Sequence, residues 1–172
     1  MVKRNRFFNT NILNQLFSFP DSINEYAARV VATFVLIFTS IYLITENIYI
    51  LYFLTYGFFA RVLTGPKLSP FALITTKIII PMVGNPFKVS PGPPKRFAQF
   101  IGLIFTTTSI ILIHSGKTQM ANYFLGTLIF FASIESSLGF CAGCWFFKLL
   151  MNWGWIPEKI CDRCNNILLS NS

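Results

Sequence analysis

All four cysteines of the chain fall between Gly139 and Asn166, as Cys141, Cys144, Cys161 and Cys164. They form two C-x-x-C pairs with 16 residues between them. Two such pairs about 15–20 residues apart are the spacing of zinc ribbons and related sites. Each pair supplies two ligands from one turn, and the segment between folds back to complete a tetrahedron. Here residues 148–153 would continue a helix, Gly154 would end it, and Pro157 would begin a new turn. Soft thiolates suit zinc or an iron–sulfur cluster. A C-x-x-C pair can instead cycle between dithiol and disulfide, most readily at a helix N-terminus. Cys141 and Cys144 follow a long apolar run, which puts them at a helix C-terminus, where the dipole favours a cation. Gly139 and Gly143 are two places where that helix could break. Arg163, between Cys161 and Cys164, favours a thiolate there. The third reading is packing, since free cysteine behaves as a small hydrophobe. Metal ligation, thiol redox chemistry and packing all stay open.

Glu135 lies six residues before Cys141, about 9 Å along a helix. A carboxylate inside an apolar run is costly unless paired or hydrated. Arg61 and Arg29, toward the ends of their own runs, are the expected partners, and an ion pair with Arg61 would join two helices. The alternative role is proton relay or cation binding in a small transporter subunit. Lys95 and Arg96 open another apolar run, where basic side chains and free N–H groups could hold a lipid phosphate or another anion, or serve only as a positive-inside anchor with no specific ligand. His114, the single histidine, sits at the far end of that run and cannot join the cysteines. Thr106, Thr107, Thr108 and Ser109 can bond their own helix backbone. Trp145, Trp153 and Trp155 suit a membrane interface. The chain has no nucleotide loop, no Ser/His/Asp arrangement and no paired carboxylates.

The elements that must position these groups are apolar. Of 172 residues 53% are hydrophobic and 12% are charged, about half the charged fraction of a soluble domain. The mean hydropathy is +0.58. A globule this small cannot bury so much apolar surface from water, so lipid is the expected solvent. Apolar runs over 27–44, 48–63, 97–113 and 123–147 are interrupted only by Arg29, Arg61 and Glu135. With their flanks they reach across about 30 Å of hydrocarbon as helices, the form that satisfies its own backbone in lipid. The expected spans are 25–45, 47–64, 96–114 and 121–147. Residues 1–24 read as a cytoplasmic tail, because no apolar stretch follows Lys3, Arg4 and Arg6 as a signal peptide would require. Phe7, Phe8, Leu13, Leu16 and Phe17 are expected to touch the membrane surface. Residues 152–172 form the cysteine-bearing tail.

Of the fourteen Lys and Arg, only Lys117 falls in the third connection, and the first connection carries Glu46 instead. The rest cluster at the two termini and around the central loop. Cytoplasmic loops are enriched in Lys and Arg, so both termini and the central loop are expected in the cytoplasm, with the chain in the inner (plasma) membrane. That compartment is reducing and disfavours a permanent disulfide. The net charge of +8 then meets anionic membrane lipid. No element suited to reading nucleic acid is present, and nothing points to a particular protein partner.

Between the second and third runs, Ser69-Pro70 reads as an N-cap with proline in the first turn. A short helix over about 70–81, too short to span and carrying Lys77, would be interfacial or re-entrant. The Pro- and Gly-rich "GNPFKVSPGPPKRF" excludes regular structure. "GPKLSPFALI", "PPKRFAQFIGLIF" and "LGFCAGCWFF" stand in that order. Together they resemble the signatures of a bacterial four-span membrane family catalogued only as a domain of unknown function. The resemblance covers about residues 21–150. It implies membrane location and four spans, points to Cys141 and Cys144, and supplies no activity. The expected architecture is all-α: an integral membrane four-helix bundle with a short interfacial helix in its central cytoplasmic loop.

Overall fold

The computed structural model of the protein describes residues 22–153. Asn24 begins the first helix: its extended backbone lets Oδ1 accept the Tyr26 N–H at 3.1 Å, the service an Asn N-cap performs. Helix α1 then runs over Glu25–Thr45. Glu46 stops it in the left-handed region, and Asn47 caps α2, Ile48–Thr64, as Asn24 caps α1. A 3-10 turn at Gly65–Lys67 leads to α3, Pro70–Met82. The middle of α3, Thr75–Ile79, widens to a π-helix in which the Ile80 N–H reaches back to Thr75. Pro81 explains this, because its ring crowds the carbonyl four residues earlier and it donates no hydrogen bond. Helix α4 runs over Gly92–His114, α5 over Thr118–Leu138 and α6 over Ala142–Asn152. Two short strands, β1 at Ser22–Asn24 and β2 at Val89–Pro91, pair antiparallel with Ile23 opposite Ser90.

Cross-helix contacts show that α1, α2, α4 and α5 run alternately up and down. Thr33 on α1 meets Ser136 on α5 at 2.6 Å. Arg96 at the start of α4 bonds the Val62 carbonyl near the end of α2, while His114 at its other end meets the Tyr52 hydroxyl at 3.2 Å. Helices α1, α2 with its 3-10 turn, and α4 are long and apolar enough to cross a membrane, and α5 with α6 makes a fourth if the bent pair is one span. The all-α bundle expected of an integral membrane protein is what the chain builds. One end of the bundle gathers Arg29, Arg61, Lys88, Lys95, Arg96 and all the described cysteines; the other holds Glu46, His114 and Lys117.

The core joins Val35, Tyr42, Leu51, Leu54, Phe58, Phe71, Leu125 and Ala132. Phe71 comes from α3, and its ring lies 5.5, 4.9 and 5.2 Å from those of Phe34, Phe38 and Phe53. It also packs on Gly57, about 10 Å inside the end of α2. Helix α3 therefore joins the bundle at its N-terminal end. Thr106 and Ser109 hydroxyls bond carbonyls of their own helix, as their positions suggested.

Over the expected fourth span, 121–147, the chain does not form one straight helix. Helix α5 stops at Gly139, whose φ of 68° is the left-handed conformation in which glycine commonly ends a helix. The chain then turns by 99° into α6. Gly143 seats α6 against Ala98 of α4 so closely that a Cβ there would collide with it. The tails 1–21 and 154–172, with Cys161, Cys164, Trp155 and the aromatic residues 7–17, lie outside the described residues.

Candidate functional site

The turn at Gly139 reverses the expected setting of the first cysteine pair. Cys141 does not end a helix; it sits at the entrance of α6, immediately before Ala142. Its Sγ accepts the backbone N–H of Cys144 at 3.3 Å, and its carbonyl accepts the Trp145 N–H at 3.0 Å. The sulfur thus does for α6 what an Asn oxygen does for α1. A helix start presents unpaired N–H groups and the positive end of the dipole, so the electrostatic objection to a thiolate at this pair disappears. The two are not joined in a disulfide; Cys141 is buried and Cys144 partly so.

Arg29 holds the turn together. Its Nη2 donates to the Leu138 carbonyl at 3.3 Å, at the C-terminus of α5, and to Glu25 at 2.9 Å. Glu25 also binds Lys88 at 3.0 Å. The guanidinium lies over Gly139, where no Cβ would fit. A cation bonded to the last carbonyls of a helix is favourably placed.

Within the bundle, Lys95 Nζ lies 2.7 Å from Glu135 Oε1. Glu135 therefore takes Lys95 as its contact partner, not Arg61 or Arg29. Lys95, expected at the membrane surface as a basic anchor or a holder of a lipid phosphate, turns inward, and its side chain is only 5% exposed. Arg96, its neighbour, is exposed and donates to Val62. The ammonium of Lys95 and the carboxylate of Glu135 both act through space on Cys141 and Cys144. Arg61 is 2% exposed, lies 4.5 Å over the Phe58 ring and feels the Glu135 charge. Its Nε and Nη2 are buried with no hydrogen-bond partner among the described residues, as is Oε1 of Gln99.

Arg61, Lys95, Gln99, Glu135 and Cys141 share the wall of one cavity of 590 Å³, within the size range of small-molecule sites. Apart from these groups, Asn24 and Thr76, its walls are mostly apolar and include Val35, Phe105, Leu128 and Phe131. His114 lies at the opposite end of the bundle, bonded to Tyr52 and Ile110. Among the described residues no three of His, Cys, Asp and Glu come together as a metal-ligand group; half of the expected four-cysteine set lies outside them.

Sequence reasoning missed Gln99 and the inward turn of Lys95, yet a signal existed. Lys95, Gln99, Gly102, Thr106 and Ser109 recur at steps of four and three, a single helix face of polar and small residues. A stripe that polar on a lipid-bound helix must face protein or a cavity. The same spacing on α2 aligns Leu54, Phe58 and Arg61.

No curated protein and no solved structure matches the chain. A sequence model of a domain of unknown function, DUF4395, matches residues 23–152, and the chain belongs to that family.

Proposed function

We propose that this family member, an integral membrane protein, carries a thiol–disulfide exchange site at Cys141 and Cys144. The reading is supported by one observation above the rest: Cys141 Sγ caps a helix N-terminus and accepts the Cys144 N–H. That is the microenvironment in which a cysteine becomes a nucleophile, and Lys95 adds a nearby positive charge. The basic end of the bundle belongs in the cytoplasm under the positive-inside rule, which keeps the pair reduced at rest.

The co-reactant is a disulfide, of a small molecule or a protein. Cys141 Sγ attacks one of its sulfurs; a new S–S bond forms, the old one breaks, and the other sulfur leaves with the electron pair and takes a proton. Cys144 then gives up its proton and attacks Cys141 Sγ. The Cys141–Cys144 bond forms, the mixed disulfide breaks, and the second sulfur leaves and is protonated. The co-reactant gains two electrons and two protons, and the pair is oxidised by two electrons. The Glu135–Lys95 ion pair favours a positioning role for Glu135 over ion transport.

The experiment uses the full chain in nanodiscs with Cys161→Ser and Cys164→Ser, so that only the first pair titrates. Oxidised and reduced glutathione in varied ratio should convert it reversibly between dithiol and disulfide. Cys144→Ser should trap a mixed disulfide on Cys141, and Cys141→Ser should trap far less. Failure of the pair to oxidise across the glutathione range overturns the proposal. So does about one zinc or iron–sulfur centre per wild-type chain that is lost when either pair is replaced, which would establish the metal site that the four-cysteine spacing suggests.

A further inference from the structure

The cavity wall carries two cations, Arg61 and Lys95, and one carboxylate, Glu135. Glu135 is committed to Lys95 at 2.7 Å. Arg61 keeps only the face of the Phe58 ring and a more distant attraction to Glu135. Its Nε and Nη2, adjacent donors on one edge of the guanidinium, have no hydrogen-bond partner among the described residues, although the residue is only 2% exposed. A buried charge without full compensation is expensive, and that edge matches two oxygens of one oxyanion. Beyond the polar groups the cavity continues between α1, α4 and α5 along Val31, Val35, Phe105, Leu128 and Phe131. A free inorganic ion would leave that length unfilled, whereas a neutral apolar chain would leave Arg61 uncompensated.

From this juxtaposition of an unpaired guanidinium with an apolar channel, we infer that the cavity binds an anionic amphiphile of the membrane: an oxyanion head at Arg61 and an acyl-type chain directed toward Phe105 and Phe131. The site adjoins the exchange chemistry, since Cys141 lies in the wall of the same cavity. The bound head offsets the positive charge that Lys95 lends to Cys141, so occupancy slows the reaction of that thiol.

Binding is measured in phosphatidylcholine nanodiscs on the full chain with Cys141→Ser and Cys144→Ser, which removes any dependence on thiol chemistry. The probes are hexadecanoate, hexadecanol and acetate. Hexadecanoate should bind saturably at one per chain, hexadecanol at least tenfold more weakly, and acetate more weakly still. Arg61→Gln should weaken hexadecanoate at least tenfold, about the loss of one charge-assisted hydrogen-bonded pair, with little effect on hexadecanol. In wild-type protein, saturating hexadecanoate should slow iodoacetamide alkylation of Cys141 severalfold. Equal binding of the alcohol would show an apolar crevice only, and acetate as tight as hexadecanoate would show a free-anion site; either overturns the inference. Should Arg61→Gln fail to fold, the comparison of probes on the parent protein still decides it. Binding that persists while the first pair proves redox-inert leaves this site standing and removes the exchange reading alone.

Discussion

Lys95 of α4 and Glu135 of α5 meet at 2.7 Å one turn below Gly139, so the helix that supports the cysteine turn is bolted to its neighbour just where the chain bends. Lys95 is almost wholly buried, and Glu135 is 23% exposed. Replacing the carboxylate leaves an ammonium with no partner in low dielectric. Glu135→Gln is expected to cost about 3 kcal/mol, seen as a lower unfolding temperature in detergent. The double replacement Lys95→Met, Glu135→Leu should recover most of that loss. A double variant as unstable as the single one would show that the pair is not what joins the helices.

Gly139 is required twice, by its left-handed backbone and by the guanidinium of Arg29 lying on it. Gly139→Ala strains the backbone by about 1 kcal/mol and also displaces Arg29 from the Leu138 carbonyl. The expected total is about 2 kcal/mol or more, together with slower alkylation of Cys141 as α6 loses its fixed start. In an Arg29→Ala background the same change should cost only the backbone part. An equal cost in both backgrounds would rule out the steric half of this account.

Gly143 lets α6 lie against Ala98. Gly143→Ala must push α6 away from α4, since the obstruction includes backbone and not only a flexible side-chain tip. Cys141 is then expected to become more accessible, and its alkylation by a bulky maleimide should quicken severalfold. An unchanged rate would mean that the two helices separate freely in the membrane.

The cysteine turn and the Ser115–Lys117 connection lie at opposite ends of the bundle. In intact cells a membrane-impermeant maleimide should label Ser115→Cys, made in a chain whose four cysteines are serine. It should leave Cys141 and Cys144 unlabelled until the cells are opened. Labelling of Cys144 in intact cells would invert the proposed orientation, and with it the reducing setting of the pair.

Membrane character and four-run organisation were legible from composition and run length alone, because twenty apolar residues in succession have few alternatives to a lipid-bound helix. Pro70 at the start of α3 follows from local chemistry in the same way, although the Ser69 side chain makes no capping hydrogen bond among the described residues. The break at Gly139 was visible only as a possibility. A glycine within an apolar run can sit in a helix or end it, and here the outcome depends on Arg29, 110 positions earlier, reaching over to hold the terminus.

What the sequence by itself determined is the solvent of this chain, its apolar helices and the gathering of its thiols near one end, since these are sums over neighbouring residues. Only the tertiary structure decided that Cys141 begins a helix instead of ending one, that Lys95 and not an arginine meets Glu135, and that Nε and Nη2 of Arg61 lie buried at a cavity wall with no hydrogen-bond partner among the described residues. Each of these depends on which helix faces come together, and burial in a low-dielectric interior turns such small differences in facing into large differences in electrostatic energy.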